Sequence, residues 1–163
     1  MSRRPADGLG TQLRRLVELL DGDLDEIYAA DGLGYRSRYS PIMRALHDGV
    51  PRTIKEVAAL SSVSHSAASQ TISRMIVEGL VAQRVGADAR ERLVHLTRKG
   101  RRLIPTLEAR WRAADIAAAG LEKELGVKLQ SVLERAIGRL EAHPFKSRIL
   151  AVSPNEKAFR SRR

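Results

Sequence analysis

Residues 64–97 read SHSAASQTISRMIVEGLVAQRVGADARERLVHLT, and the order of signals in that stretch decides the architecture. Ser64 is placed to cap a helix. Ala68, Ile72, Met75 and Ile76 then recur at helical spacing on one side. His65, Ser66, Ser69, Gln70, Ser73 and Arg74 occupy the other side, and Gly79 stops the helix. Two apolar-leaning segments follow, Leu80 to Val85 and Leu93 to Leu96, around the turn Gly86-Ala87-Asp88-Ala89. That is a hairpin. Arg84, Arg90 and Arg92 crowd its turn, opposed only by Asp88 and Glu91.

Upstream, Thr53-Ile54-Lys55-Glu56 fits a capping box, in which threonine accepts from a free amide and glutamate reaches back. The helix it opens, IKEVAALS, is expected to bury Ile54, Val57, Ala58 and Leu60. Ser61-Ser62-Val63 breaks it before Ser64 starts the next. Two short helices, a three-residue turn and a second helix with a small polar face form the helix-turn-helix pattern. Serine and alanine let a helix backbone sink into a major groove, and Gln70 offers a donor and an acceptor to adenine. Ser66, Ser69, Gln70 and Ser73 are the candidate base readers, and Arg74 is the candidate phosphate contact. Ser64 and His65 stand at the start of the same helix. For His65, a DNA contact and plain solvent exposure are equally open.

Followed at once by a basic hairpin, the helix pair implies a winged helix. The hairpin is the wing, reaching towards the neighbouring minor groove, where narrowing concentrates negative potential. Arg90 at the tip is the candidate insertion, with Arg84 and Arg92 as electrostatic support. Asp88 is expected to hold the arginine in position. The bland alternative is a plain hairpin whose arginines are solvated.

Charge distribution points the same way. Of the net charge of +10, residues 81–103 contribute seven basic against two acidic side chains, and residues 144–163 six against one. Residues 1–80 and 104–143 are each balanced. A localised surplus is the footprint of a polyanion partner, most simply double-stranded DNA. For the tail, solvated charge without a ligand is an equally fair reading.

The flanks are helical. Leu9, Leu13, Leu16, Leu20, Leu24 and Ile27 form one stripe of a helix over 9–30, whose acidic patch DGDLDE disfavours DNA contact. Ser40 is an N-cap candidate with Pro41 at the first helical position, for a short helix to about His47. His47-Asp48 reads as a cap and dipole partner. Downstream, Thr97 is placed to cap a helix with Ile104, Leu107, Trp111 and Ala114 on its stripe. Gly120 or Gly126 interrupts it. A last helix to about Ala142 should turn Leu125, Leu129, Val132, Leu133, Ala136 and Leu140 inward, and Pro144 ends it. The first and last helices carry more aliphatic side chains than one small winged helix can cover, which calls for a second copy. The alternative is that the three long helices close one monomeric core. A two-fold dimer would present two recognition helices about one DNA turn apart, implying a roughly palindromic site.

Other chemistry is set aside. The chain has no cysteine, which removes disulfides, thiolate metal sites and thiol redox sensing and fits a reducing cytoplasm. No apolar run approaches a membrane span, and MSRRPADGLG lacks the apolar region of a signal peptide. The four histidines, His47, His65, His95 and His143, show no metal-ligand spacing, and no phosphate loop or nucleophile elbow is present. No cofactor, metal or enzyme activity is expected. Six aromatic residues are too few for a single-strand stacking platform. Tyr35, Arg36, Tyr39 and Trp111 are candidates for binding a small aromatic carboxylate by stacking and ion pairing. Ordinary packing with surface arginines explains the same residues and is the preferred reading.

This order of elements resembles the MarR family of bacterial transcription regulators. The match is carried by Ser64-His65-Ser66-Ala67-Ala68-Ser69-Gln70, by Gly79-Leu80-Val81, and by Asp88-Ala89-Arg90 running on to Leu96-Thr97-Arg98-Lys99-Gly100. The resemblance implies a homodimer with interlocking terminal helices, and for many members a response to small aromatic acids or oxidants. It matches Arg90 to the wing arginine, Asp88 to its partner, and Ser64 to Arg74 to the recognition helix. Thiol-based oxidant sensing is excluded here, no residue pattern fixes a ligand pocket, the wing is short, and the family pattern does not require the basic tail. The expected fold is mainly α: a winged helix-turn-helix over 40–96 with a small β-hairpin wing. Dimerisation helices at 9–30 and 97–142 complete one domain over 9–142. Residues 1–8 are expected to be flexible and 143–163 to form a basic mobile tail. The expected function is that of a cytoplasmic, homodimeric repressor reading a pseudo-palindromic operator and released by a small effector. A sequence-neutral architectural DNA coat is the competing reading. A helix-bundle interaction module with a degenerate winged helix is a third.

Overall fold

The computed structural model describes residues 8–88 and 90–152. Residues 1–7, Ala89 and 153–163 lie outside them, and with them most of the expected flexible start and the end of the basic tail. Two compact units result, Met1–Glu108 and Ala109–Arg163.

The first unit opens with α1 (Leu9–Ala30), whose only buried side chain is Tyr28. Asp25, from the acidic patch, accepts from the Ser37 amide at 2.6 Å and so starts a 3-10 turn over Ser37–Tyr39. This turn runs directly into α2 (Ser40–Leu46). Ser40 is therefore already helical and is not the N-cap expected of it; its hydroxyl accepts from Tyr35 at 3.1 Å. Pro41 sits in the first turn, where its missing N–H is harmless. At the other end the His47 ring meets the Arg44 carbonyl oxygen at 2.6 Å, a C-terminal cap. Gly49 then takes a left-handed φ of +79°.

After Gly49 the chain is pinned by Arg52. Its Nη1 donates to the Ala45 carbonyl and to Asp48 Oδ1, each at 2.7 Å. The Arg52 guanidinium, with the Val50 amide, holds the Asp48 carboxyl well below the usual carboxylate range. A depressed folded pKa gives stability above the unfolded carboxylate value, lost as pH falls through the folded one. Asp48→Asn is thus expected to lower stability at pH 7–8, where the contribution is fully present, and to flatten the acid limb below about pH 4, so that the two curves converge in acid. Equal acid limbs in wild type and variant would refute this.

β1 (Arg52–Thr53) follows, then α3 (Ile54–Leu60) and α4 (His65–Val77). The capping box is present in full: Thr53 Oγ1 accepts from the Glu56 amide at 3.2 Å, and Glu56 accepts from the Thr53 amide at 2.7 Å. Ser64 caps α4 by accepting from the Ala67 amide at 3.2 Å. α3 packs on α4 and α2 on both, burying Ile42, Met43, Leu46, Val57, Ala68, Ile72 and Met75. Three expected core positions are not buried, and of these Ile54 is half-buried. Leu60, at the last turn of α3, is 59% exposed, and Ile76 is 37% exposed because it lies at the edge of the stripe.

β2 (Val81–Val85) and β3 (Arg92–Leu96) form the hairpin, and β1 adds a third antiparallel strand in the order β1-β3-β2. Thr97 then caps α5 (Arg98–Leu125), its hydroxyl oxygen accepting from the Gly100 amide at 3.1 Å. Leu107 is fully buried.

In the second unit α5 continues, with Trp111 buried, until Gly126 takes a φ of +66°. Gly126, not Gly120, is the break. α6 (Leu129–Ala142) contains no buried residue. Much of the expected inward face is exposed in a single chain: Leu125 is 53%, Val132 36% and Leu140 44% accessible, while Leu129 and Leu133 are half-buried. Residues 145–152, assigned by sequence to a mobile tail, form α7 (Phe145–Val152). The Pro144 carbonyl accepts from the Ser147 amide at 3.0 Å, so this proline starts a helix as well as following one. Arg148 turns back to donate to the Arg139 and His143 carbonyls, each at 3.1 Å, satisfying the end of α6. Among the described residues, no helix is long and apolar enough to cross a membrane.

Candidate nucleic-acid interface

α4 displays the segregation that a groove-reading helix needs. Ala68, Ile72 and Met75 are buried, whereas Ser64, His65, Ser66, Gln70, Ser73 and Arg74 are exposed and Ser69 is half-buried. The face is small, polar and nearly free of charge, so its backbone can approach base edges closely. Two hydroxyls have prior engagements. Ser64 Oγ serves as the N-cap, and Ser73 Oγ donates to the Ser69 carbonyl at 2.9 Å, leaving its lone pairs outward. Gln70 keeps an exposed amide with two donors and an acceptor.

In the wing, the Gly86 amide donates to the Glu91 carbonyl at 3.0 Å and closes the ladder. The Glu91 amide donates to the Asp88 carbonyl at 2.9 Å, and the Arg90 amide to Asp88 Oδ1 at 2.9 Å. Asp88 therefore orders the turn through the Arg90 main chain, an Asx-type contact. Arg90 itself is exposed at the tip.

The three arginines do not act as one cluster. The register pairs Val85 with Arg92 and Arg84 with Leu93. Directly paired residues share a face and successive residues alternate, so Arg84 and Arg92 stand on opposite faces of the ribbon. Arg92 shares its face with Val81, Val94 and Leu96; Arg84 shares the other with His95. Counting charge along the stretch misses this, although the period of two contains it.

The end of α4 is bound to three other elements, which sequence reading did not foresee. Glu78 is the C-cap, and its carboxylate accepts from the fully buried Tyr39 hydroxyl at 2.6 Å. Lys99 Nζ donates to the Glu78 carbonyl at 2.8 Å. Thr97 Oγ1 donates to the Gly79 carbonyl at 2.6 Å, and the Thr97 amide to that of Leu80 at 3.1 Å. A methyl at Gly100 would lie 2.1 Å from the Leu80 carbonyl oxygen. The L-T-x-x-G stretch is thus a joint: Thr97 ties the wing to the end of α4, and Gly100 lets them meet.

The candidate effector residues divide. Tyr28, Tyr35 and Tyr39 form an edge-to-face ladder, with ring centroids 4.9 Å and 5.8 Å apart. Tyr35 and Tyr39 are buried, and both hydroxyls have protein partners. Burial pushes the Tyr35 hydroxyl up. Burial and then the Glu78 carboxylate do the same for Tyr39, so both remain donors. The arginine stacked on Tyr39 is Arg38, 5.5 Å from the ring centroid, whereas Arg36 is exposed. Tyr35 and Arg36 line an open surface cleft with Asp25, Gly34, Glu78 and Lys99. Trp111 belongs to the second unit. Among the described residues, no group of three His, Asp or Glu side chains could hold a metal ion.

The MarR family model matches residues 32–91. A MarR family transcriptional regulator from Silicibacter pomeroyi is 26% identical, over 85% of this chain and 99% of that one, with a TM-score of 0.61. The transcriptional regulator MosR from M. tuberculosis, solved in complex with DNA, is 24% identical over 82% of this chain and 93% of its own, with a TM-score of 0.62. CouR from Rhodococcus jostii, bound to p-coumaroyl-CoA, is 24% identical over 88% of this chain and 97% of its own, with a TM-score of 0.56. No curated protein sequence matches the chain. Residues 32–91 thus match the MarR family, and the chain as a whole is similar in fold to MarR family transcriptional regulators.

Proposed function

We propose that the chain acts as a homodimeric repressor that reads duplex DNA sequence-specifically. One observation carries the reading: α4 buries Ala68, Ile72 and Met75 while presenting a face of small polar side chains with Arg74 as its one full charge and Gln70 near its centre. A face meant only for water gains nothing from avoiding lysine and glutamate. Ser66, Ser69, Gln70 and Ser73 read base edges, with Ser64 and His65 at the helix start. Arg74 holds a phosphate, and Arg90 enters the minor groove. Arg84 and Arg92, on opposite faces of the wing, neutralise different phosphates. The DNA-bound MosR structure shares the fold and supports this assignment. Homodimerisation would cover the exposed aliphatic faces of α1 and α6 and present two α4 helices to a roughly palindromic operator. A small aromatic effector would release the DNA; CouR, which shares the fold, is bound to p-coumaroyl-CoA, and here Tyr35 and Arg36 line the surface cleft that could meet such a ligand.

Arg90→Ala is expected to weaken operator binding and to reduce the slope of log K against log salt by about one counterion per half-site. Fluorescence anisotropy titrations across a salt series measure both quantities. Unchanged affinity and slope would remove the wing from the interface.

The basic surplus at 81–103 and 144–163 favours one other reading, an architectural coat indifferent to sequence. Competition of a labelled promoter fragment against random DNA distinguishes the two, because a coat shows no preference.

A further inference from the structure

Glu78 occupies an unfavourable position. A carboxylate at the C-terminal end of a helix faces the negative end of the macrodipole. Nevertheless Glu78 caps α4 there, and its Oε1 is bound to a hydroxyl 39 residues away in sequence, on the buried Tyr39. Lys99 approaches the same residue from α5 and donates to its carbonyl. From these contacts we infer that Glu78 and Tyr39 are positioning residues for DNA reading: their hydrogen bond fixes the tilt of α4 and hence where the base-reading side chains fall.

The inference rests on the DNA-reading role proposed above and adds a specific cause to it. The tie lies at the C-terminal end of α4, whereas Ser66, Ser69 and Gln70 lie in its first half. A helix of 13 residues is about 20 Å long, so a tilt of about 10° about one end moves the other by about 3 Å, one hydrogen-bond length. Thr97 holds the main chain at Gly79 and Leu80, just beyond the end of α4. The Glu78 side chain reaches beyond that point to the 3-10 turn before α2, adding a directional tie to the packing of α4 on α2 and α3. Tyr39 is itself anchored by the aromatic ladder and by Arg38 over its ring. The restraint therefore ends on a rigid part of the first unit.

Three variants of the full chain test this. Glu78→Leu and Glu78→Gln remove the same charge, but only glutamine keeps an acceptor for the Tyr39 hydroxyl. Tyr39→Phe removes the donor with no change of charge. The probe is the duplex that the wild type selects from a random pool, with poly(dI-dC) as the non-specific reference. Glu78→Leu and Tyr39→Phe are expected to lower the specific-to-non-specific ratio about tenfold, the scale of one lost bidentate base contact. Glu78→Gln should restore the wild-type ratio. Non-specific binding should be equal in Glu78→Leu and Glu78→Gln. A contact that only stabilises the fold would lower the melting temperature and leave the ratio unmoved, and that result overturns the inference while the DNA-reading role stands. A wild type that selects no sequence overturns both. Should Tyr39→Phe fail to fold, the leucine–glutamine pair at the half-buried Glu78 decides alone.

Discussion

Gly100→Ala is expected to destabilise the chain by about 2–4 kcal/mol, an effect at the upper end for a single added methyl. The added carbon would sit 2.1 Å from the Leu80 carbonyl oxygen and 3.2 Å from its carbon, against main chain that has nowhere to go. Leu80 cannot retreat easily, because the same oxygen accepts from the Thr97 amide at 3.1 Å and from the Thr97 hydroxyl at 3.2 Å. Its side chain is fully buried as well. Relief would require parting α5 from the end of α4. Urea denaturation followed by circular dichroism gives the number. A loss below about 0.5 kcal/mol, ordinary for an unconstrained surface site, would mean that the joint is looser than the geometry implies.

The second large effect concerns the exposed aliphatic faces. Leu20 on α1 is 49% exposed and Leu140 on α6 is 44% exposed, yet both sit on regular leucine stripes. Glutamate is nearly as good a helix former as leucine, so the double variant Leu20→Glu/Leu140→Glu should keep its helices. The proposed dimer should be lost, because it would bury four like charges without partners. A monomer engages one half-site at a time, and affinity for a two-half-site duplex should fall by about 10²–10⁴-fold through lost effective concentration alone. Sedimentation velocity on wild type and variant, with circular dichroism as the control for folding, checks the claim. A monomeric wild type, or a variant that still sediments as a dimer, would contradict it.

The parts of this fold that could be read in the sequence are those fixed by local chemistry. Thr53 with Glu56, Ser64, Gly79 and Thr97 each mark a boundary, because a cap or a left-handed residue acts within four positions of itself. The hairpin was legible for the same reason. Long-range pairings were not. β1 is two residues long and has no period of its own; it exists only because Val94 and Leu93 offer an edge to Arg52 and Thr53. Tyr39 and Glu78 meet because three elements converge, and nothing in either neighbourhood announces it. Periodicity also identifies a face without saying what covers it. Leu125, Val132 and Leu140 lie on a genuine stripe that is exposed in one chain. Pro144 marks the end of α6, but proline suits the first turn of a helix equally well, and α7 follows it. For the interface, α4 buries Ala68, Ile72 and Met75 as the spacing predicts but leaves Ile76 exposed, and a count of charge groups Arg84 with Arg92 where the strand period separates them.

Sequence-specific reading of duplex DNA by α4 and the wing is the central claim, and selection from a pool of random duplexes tests it most directly. Rounds of binding at about 0.15 M salt, followed by sequencing, should enrich a two-fold symmetric motif with half-sites about 10 base pairs apart, centre to centre. Gln70→Ala should erase the preference at one position of each half-site. A pool that emerges from the wild type with no enriched motif, although DNA is retained, would contradict the account.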